Sequence, residues 1–265
     1  MSWIKKAQDN AMKELSQKAN TKLREIGKDI IEAITQSFEN DNGYNGYTPT
    51  LNINREPLEL ELRETLLSIR ESTYKKTEKD HPNLLKSKGV QDSFFYEEKI
   101  SKTGRIRALY TLASVSSLGL VSDIEKVLLA AYVQNAIALN TKKKVEKFLN
   151  EKLKESIQKA SIVTTINNAA LKTVNDARNE FIDDYENEIE SITYDNPDPQ
   201  SAICQYLKGK TVKPNSSDAA MYQPPLHFGN CKTYMIINEK SFKDNPSLTG
   251  KLKPNKEEIK SANLK

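Results

Sequence analysis

Cysteine and histidine are nearly missing from this chain of 265 residues, which has two of each. Two thiols, Cys204 and Cys231, cannot make a dense disulfide framework, so the fold has to rest on an apolar core. Long apolar runs are missing too. The segment MSWIKKAQDNAMKEL is charged throughout and lacks the apolar core of a signal peptide. The most apolar segment, residues 108–121 (ALYTLASVSSLGLV), gives way to Asp123 and is too short to span a bilayer. A cytosolic or particle-bound protein with no stable membrane span is therefore the expectation. Charge of one sign is also missing: 40 Lys+Arg against 36 Asp+Glu leave only +4. Affinity for nucleic acid would have to come from local clustering, because so small a net charge selects no partner. No internal repeat, zinc finger or other DNA-reading motif is evident.

Helical periodicity is what the chain does have. Ile4, Ala7, Met12, Leu15, Ala19, Leu23, Ile26, Ile30, Ile34 and Phe38 recur at steps of three to five, which predicts one long amphipathic helix. Two Asn-Gly steps and a proline in NDNGYNGYTPTLNIN, residues 40–54, must end it, with a short strand expected at 50–53. Pro57 suits the first turn of a second helix carrying Leu62, Leu66 and Ile69. Residues 78–103 read as a polar loop with an aromatic patch, Phe94, Phe95 and Tyr96. From Thr103 to about Ser191 the chain reads as helix after helix. Ser122-Asp-Ile-Glu125 has the pattern of a capping box opening VLLAAYVQNAIAL, which is expected to be the most buried helix. Ile166, Ala170, Val174, Ala177, Phe181, Tyr185 and Ile189 continue the helical spacing.

Composition then shifts. Residues 193–232 hold five of the ten prolines and both cysteines. They predict a small loop-rich lobe with short strands near 204–207 and 233–237. The fold class is thus mainly α, and α+β overall. Residues 1–55 form a long helix and turn-rich connection, 56–160 a helical region, 161–240 a further domain, and 241–265 a polar, Lys-bearing tail.

The rare residues collect in that lobe, in YQPPLHFGNC at 222–231 and at Cys204. Three readings stay open. Cys204 and His227 with Asp198 supply the residue types of a nucleophilic triad, but no glycine-rich oxyanion turn flanks Cys204. Cys204, His227, Cys231 and Asp198 supply four donors for zinc, without the paired-cysteine knuckles of a structural site. Pro224, Pro225, His227 and Cys231 also suit a fold-closing corner, with the cysteines as small core residues.

The order of these residues resembles the Mu F-like minor head proteins of tailed phages, which carry the phage head morphogenesis domain. That family reads Asp-x-x-Cys-x-x-Cys, then Leu-x-Gly, then Pro-Pro-x-His-x-x-Cys-x-Cys, after a long helix. Here Asp198, Cys204, Leu207-Lys208-Gly209, Pro224-Pro225-Leu226-His227 and Cys231 match in order, and 162–191 stands where the helix belongs. The resemblance covers about 160–238. Ser201 and Thr233 stand where the first and last cysteines would be, and one extra residue separates His227 from Cys231. Thr165-Ile166-Asn167 replaces the Arg-Thr-Glu that often opens the helix.

The resemblance implies a minor capsid protein that is no enzyme and has no required cofactor. It would bind the portal or the major capsid protein, assist head assembly, packaging or DNA delivery, and reside in the virion head after assembly in the host cytoplasm. It implies a fold-closing role for the Pro-Pro-His-Cys loop. One feature independent of the resemblance suits a DNA-filled container: Lys142, Lys143, Lys144, Lys147 and Lys154 within 141–159, a segment with seven lysines against three glutamates. On a helix Lys143, Lys147 and Lys154 share a face for nonspecific contact with double-stranded DNA, although a solvated face of Glu–Lys pairs has the same pattern. Two other functions compete. One is a phage-delivered effector acting in the host cell. The other is a membrane-active ejection protein using 104–140 as a hairpin, against which Arg105, Arg107, Asp123, Glu125 and Lys126 argue.

Overall fold

The computed structural model describes residues 3–46, 48–82, 84, 95–226 and 231–239, with the backbone only over 95–103. These residues make seven helices and one three-stranded antiparallel sheet, so the chain is mainly α with a small α+β region towards its end.

Helix α1 spans Trp3–Asn40. Its buried stripe is Ile4, Gln8, Ala11, Leu15, Ala19, Leu23, Ile26, Ile30, Ile34 and Phe38. Near the start Gln8 and Ala11 are buried in place of the expected Ala7 and Met12, because steps of three and four keep the stripe in phase with Leu15. The helix ends where Asn42 and Gly43 take positive φ (53° and 127°) and the Gly43 N–H returns to the Phe38 carbonyl at 2.8 Å. No strand forms at 50–53; that segment runs as coil into α2, Glu56–Asp80. The Asn54 side chain caps α2 by accepting from the Glu56 N–H at 3.0 Å. Leu58, Leu62, Leu66 and Ile69 are its buried face.

Helix α3, Phe95–Asn135, corrects three expectations. The loop foreseen over 78–103 is helical at both ends, since α2 reaches Asp80 and α3 begins at Phe95; Phe94 lies outside the described residues. Ser122–Glu125 opens no helix. Leu120, Val121, Ile124 and Leu128 are buried at helical spacing straight through it, so packing carries the helix past a local capping pattern. Nor is 127–139 the most buried helical segment: Leu128, Ala131, Tyr132 and Ala136 are buried while Ile137 is fully open to solvent. Helix α4, Lys142–Ile157, is capped by Thr141 and buries Val145, Leu149 and Leu153. Helix α5, Ala160–Asp184, is the more buried one, closing on Val174, Ala177 and Phe181.

The expected continuation of α5 to Ser191 does not occur. Ile189 belongs to strand β1, Ile189–Asp195, whose Ile192, Thr193 and Tyr194 suit a paired strand. A short helix α6 (Ala202–Leu207), strand β2 (Thr211–Val212), helix α7 (Ser217–Met221) and strand β3 (Tyr234–Glu239) complete the described chain. The strand expected at 204–207 is α6, because the Ser201 hydroxyl accepts from the Cys204 N–H and starts a helix there. The sheet order is β2-β1-β3, with Thr193 opposite Thr211 and Ile192 opposite Ile237.

The chain forms two compact units, each drawn from several segments. One comprises residues 13–66 and 107–169 and is helical throughout its regular structure. Within it α1 and α4 approach closely, and a Cβ added at Gly27 would overlap the Leu153 side chain. Lys142 reaches Glu39 at 2.8 Å, Lys18 reaches Glu61 at 3.5 Å, and Tyr44 meets Tyr132 edge-on.

The other unit comprises 1–12, 67–106 and 170–265. Its core joins Phe181, Ile182 and Tyr185 to Ile192, Tyr194, Leu207, Val212, Met235 and Ile237. Glu180, almost fully buried, takes Arg70 at 2.6 Å and Arg105 at 3.3 Å. Beside it the Tyr74 hydroxyl donates to Asp184 at 2.7 Å. Arg178 is buried, donates to the Met235 carbonyl at 2.6 Å and lies 5.2 Å from the Trp3 ring. Burial pulls its pKa down to about 10.

Candidate functional site: a buried thiol pair and an exposed lysine face

The proline-rich turn and the end of β1 bring the two cysteines together. Their Sγ atoms lie 3.7 Å apart as free thiols, and both residues are buried. Cys204 enters from α6, fixed by Ser201, whose Oγ is 3.3 Å from its N–H. Cys231 enters from the chain leading into β3, and the Leu226 N–H donates to its sulfur at 3.4 Å. The Pro224–Pro225 bond is cis, and Asn179 of α5 donates to the Pro224 carbonyl at 3.3 Å.

A directional relay runs through the pair. Asn196 Nδ2 donates to Thr233 Oγ1 at 2.8 Å, and the Thr233 hydroxyl donates to Cys204 Sγ at 3.0 Å. That leaves the Cys204 thiol free to donate to Cys231. The Cys231 pKa is accordingly pulled down by the hydrogen bond from Cys204, against the opposing effect of burial. The Cys204 thiol is pushed up by that same hydrogen bond and by burial. Cys204 is thus a protonated, inaccessible donor, the reverse of an activated nucleophile.

Asn196 was not foreseen as a site residue. The signal was Asn-Pro-Asp at 196–198, a turn in which Asn196 Oδ1 accepts from the Asp198 N–H at 2.9 Å. Asp198 itself is exposed and its carboxylate accepts from Gln200 at 2.7 Å. It does not join the sulfurs, and among the described residues no group of three or more His, Cys, Asp or Glu is placed to hold a metal. Ser201 and Thr233 bring hydroxyls where a tetrahedral zinc site would want thiolates, so zinc does not fit these described donors. His227 lies outside the described residues.

The candidate lysines lie on α4, in the helical unit. Lys142 is ion-paired with Glu39, whereas Lys144 Nζ donates to the neutral Asn140 amide at 2.9 Å and so keeps its charge. Lys143, Lys147 and Lys154 are exposed and have no ion pair among the described residues. The first turn of α4 contains no acidic residue. Lys142, Lys143 and Lys144 there oppose the helix dipole at about 0.3–1 kcal/mol each and so do not serve the helix, whereas Lys154 in the last turn complements the dipole.

Compared with protein-family models, curated proteins and solved structures, the chain finds no match. Among the described residues no helix is long and apolar enough to cross a membrane.

Proposed function

We propose that this chain is a minor head protein of a tailed phage, similar to the Mu F-like family, which works by binding the portal or capsid interior. The observation that carries the reading is the meeting of Ser201, Cys204, Cys231 and Thr233. These four positions stand in sequence where that family has four cysteines. Here they lie in one hydrogen-bonded cluster, with Cys204 touching the other three. The cluster closes the C-terminal lobe as a structural corner. Lys143, Lys147 and Lys154 add a salt-sensitive, sequence-independent contact to packaged DNA.

Quantitative mass spectrometry of purified, nuclease-treated virions, scaled to the major capsid protein, tests the role. A few copies per particle is the expected result; absence from every particle form, with abundance in the infected cell, overturns it. For the lysines, Lys143→Glu with Lys147→Glu should weaken binding to a random DNA duplex at low salt by about tenfold or more and flatten its salt dependence. Unchanged binding would return α4 to a solvated face.

A further inference from the structure

Helix α3 is apolar on two faces, and only one of them is covered within its own unit. Residues 108–122 contain no charge. Leu109, Ala113, Ser116, Ser117 and Leu120 are buried, whereas Val115 is 64% and Leu118 52% exposed. At about 100° per residue, Ala108, Thr111, Leu118, Gly119 and Ser122 all lie within about 60° of the Val115 direction. Gly119 sits mid-helix, and beyond its own helix's neighbouring backbone nothing among the described residues lies within 4 Å of a Cβ placed there. A glycine in that position weakens the helix without a packing reason among the described residues, and it leaves room for another backbone.

Charge says what the other backbone is. Arg107 and Glu125 stand nine residues to either side of Ser116, about 13–14 Å along the axis. Both project about 80° to the same side of the Val115 direction. Neither has an ion-pair partner among the described residues, and Arg107 is exposed. A two-fold axis perpendicular to an antiparallel helix pair keeps each flank and inverts height. Centred at Ser116, it sets Arg107 of one copy against Glu125 of the other, twice, with Val115 and Leu118 between them.

We infer that the outer face of α3 is a self-association surface, on which a second copy of this chain packs antiparallel through Val115, Leu118 and Gly119, flanked by reciprocal Arg107–Glu125 pairs. A contact of about four helical turns sits at the low end of interface sizes, so affinity in the micromolar range is expected. The inference does not rest on the phage reading.

Sedimentation of the full chain up to about 200 μM tests it. A dimer is expected. Val115→Asp should give a monomer with unchanged melting, since the side chain is exposed. Arg107→Glu and Glu125→Arg should each raise Kd about tenfold, and the two together should restore it to within about threefold, because both reciprocal pairs are broken and then remade. A monomer at every concentration would overturn the inference. So would a dimer that survives Val115→Asp, or a double variant no better than the singles. Flotation of a monomeric chain with phosphatidylcholine–phosphatidylglycerol vesicles, lost in Val115→Asp, would overturn it in favour of a lipid surface.

Discussion

Replacing Ser201 and Thr233 by cysteine together would ask whether four positions surround one point. A zinc ion bound at about 2.3 Å by four thiolates holds its sulfurs about 3.8 Å apart. Cys204 and Cys231 already stand at 3.7 Å as thiols. Thr233 Oγ1 is 3.0 Å from the Cys204 sulfur, and the Ser201 side chain reaches the Cys204 backbone at 3.3 Å, so both new sulfurs start beside the old pair. Without metal the variant should lose about 2–4 kcal/mol, because Asn196 loses its hydroxyl acceptor and α6 its N-cap. With metal the sign reverses. A four-thiolate site of nanomolar affinity, at about 10 μM zinc, adds about 5.5 kcal/mol by mass action. In a chain of this size that raises Tm by roughly 10–20 °C. Cobalt(II) titration should produce the intense visible bands of a tetrahedral thiolate complex, and zinc should abolish them. Thermal melts with zinc and with a chelator give the energies. The wild-type chain, with two hydroxyls in the set, should do neither. A double variant with no cobalt bands and no zinc-dependent melting would refute the convergence, and with it the main support for the head-protein reading.

Three further outcomes follow from the packing and the charges. Glu180→Ala strands Arg70 in a mostly buried position, while Arg105 keeps Asp183 and Asp184, and should cost about 3–5 kcal/mol; Glu180→Leu with Arg70→Met should recover most of it, read from urea midpoints. Gly27→Ala gains about 1 kcal/mol of helix propensity but drives a methyl into Leu153, for a net loss of up to about 2 kcal/mol. Leu153→Ala in the same chain should relieve that clash, giving a double-mutant cycle clearly short of additive. The thiol pair should release its first proton below the ordinary thiol range, at Cys231, visible as thiolate ultraviolet absorbance. Between that release and the ordinary thiol range the unfolded chain then binds more protons than the folded one, so stability should rise with pH there. Thr233→Val, which cuts the relay, should move the absorbance change upward.

Periodicity made α1, α2 and most of α5 legible, because each buries one stripe and nothing within it competes. Reading failed where local signals and packing disagree. Ser122–Glu125 has the chemistry of a helix start, but the residues before it are buried at helical spacing and never leave the helix. Tyr185 and Ile189 keep a helical step, yet Ile189 pairs with Glu239 across 50 residues of sequence, a partner no local window contains. At the site, the meeting of Cys204 with Cys231 followed from the order of residues. Asn196 and the direction of the hydrogen bonds did not, since a relay depends on which donors have been spent elsewhere. The lysine set divided for the same reason: Lys142 meets Glu39, more than 100 residues earlier, while Lys143 next to it meets nothing among the described residues.

The hydroxyls of Ser201 and Thr233 also show how the lobe closes around only two thiols. A metal would tie α6 to the segment before β3 by direct bonds. In this chain Ser201 turns inward along its own helix to cap it, and Thr233 bonds both Asn196 at the end of β1 and Cys204 in α6. The Leu226 N–H then ties the proline turn to Cys231. The end of β1, α6, the proline turn and the segment before β3 are gathered by four directional contacts, Asn196–Thr233, Thr233–Cys204, Cys204–Cys231 and Leu226–Cys231, of about 1 kcal/mol or less each. Each alone is weak, and each has its geometry fixed by the next. Loss of Thr233 should therefore cost more than one bond, while Ser201→Ala should cost little beyond its cap. That inequality follows from the relay and would be reversed if Ser201, rather than Thr233, were the member that joins the segments.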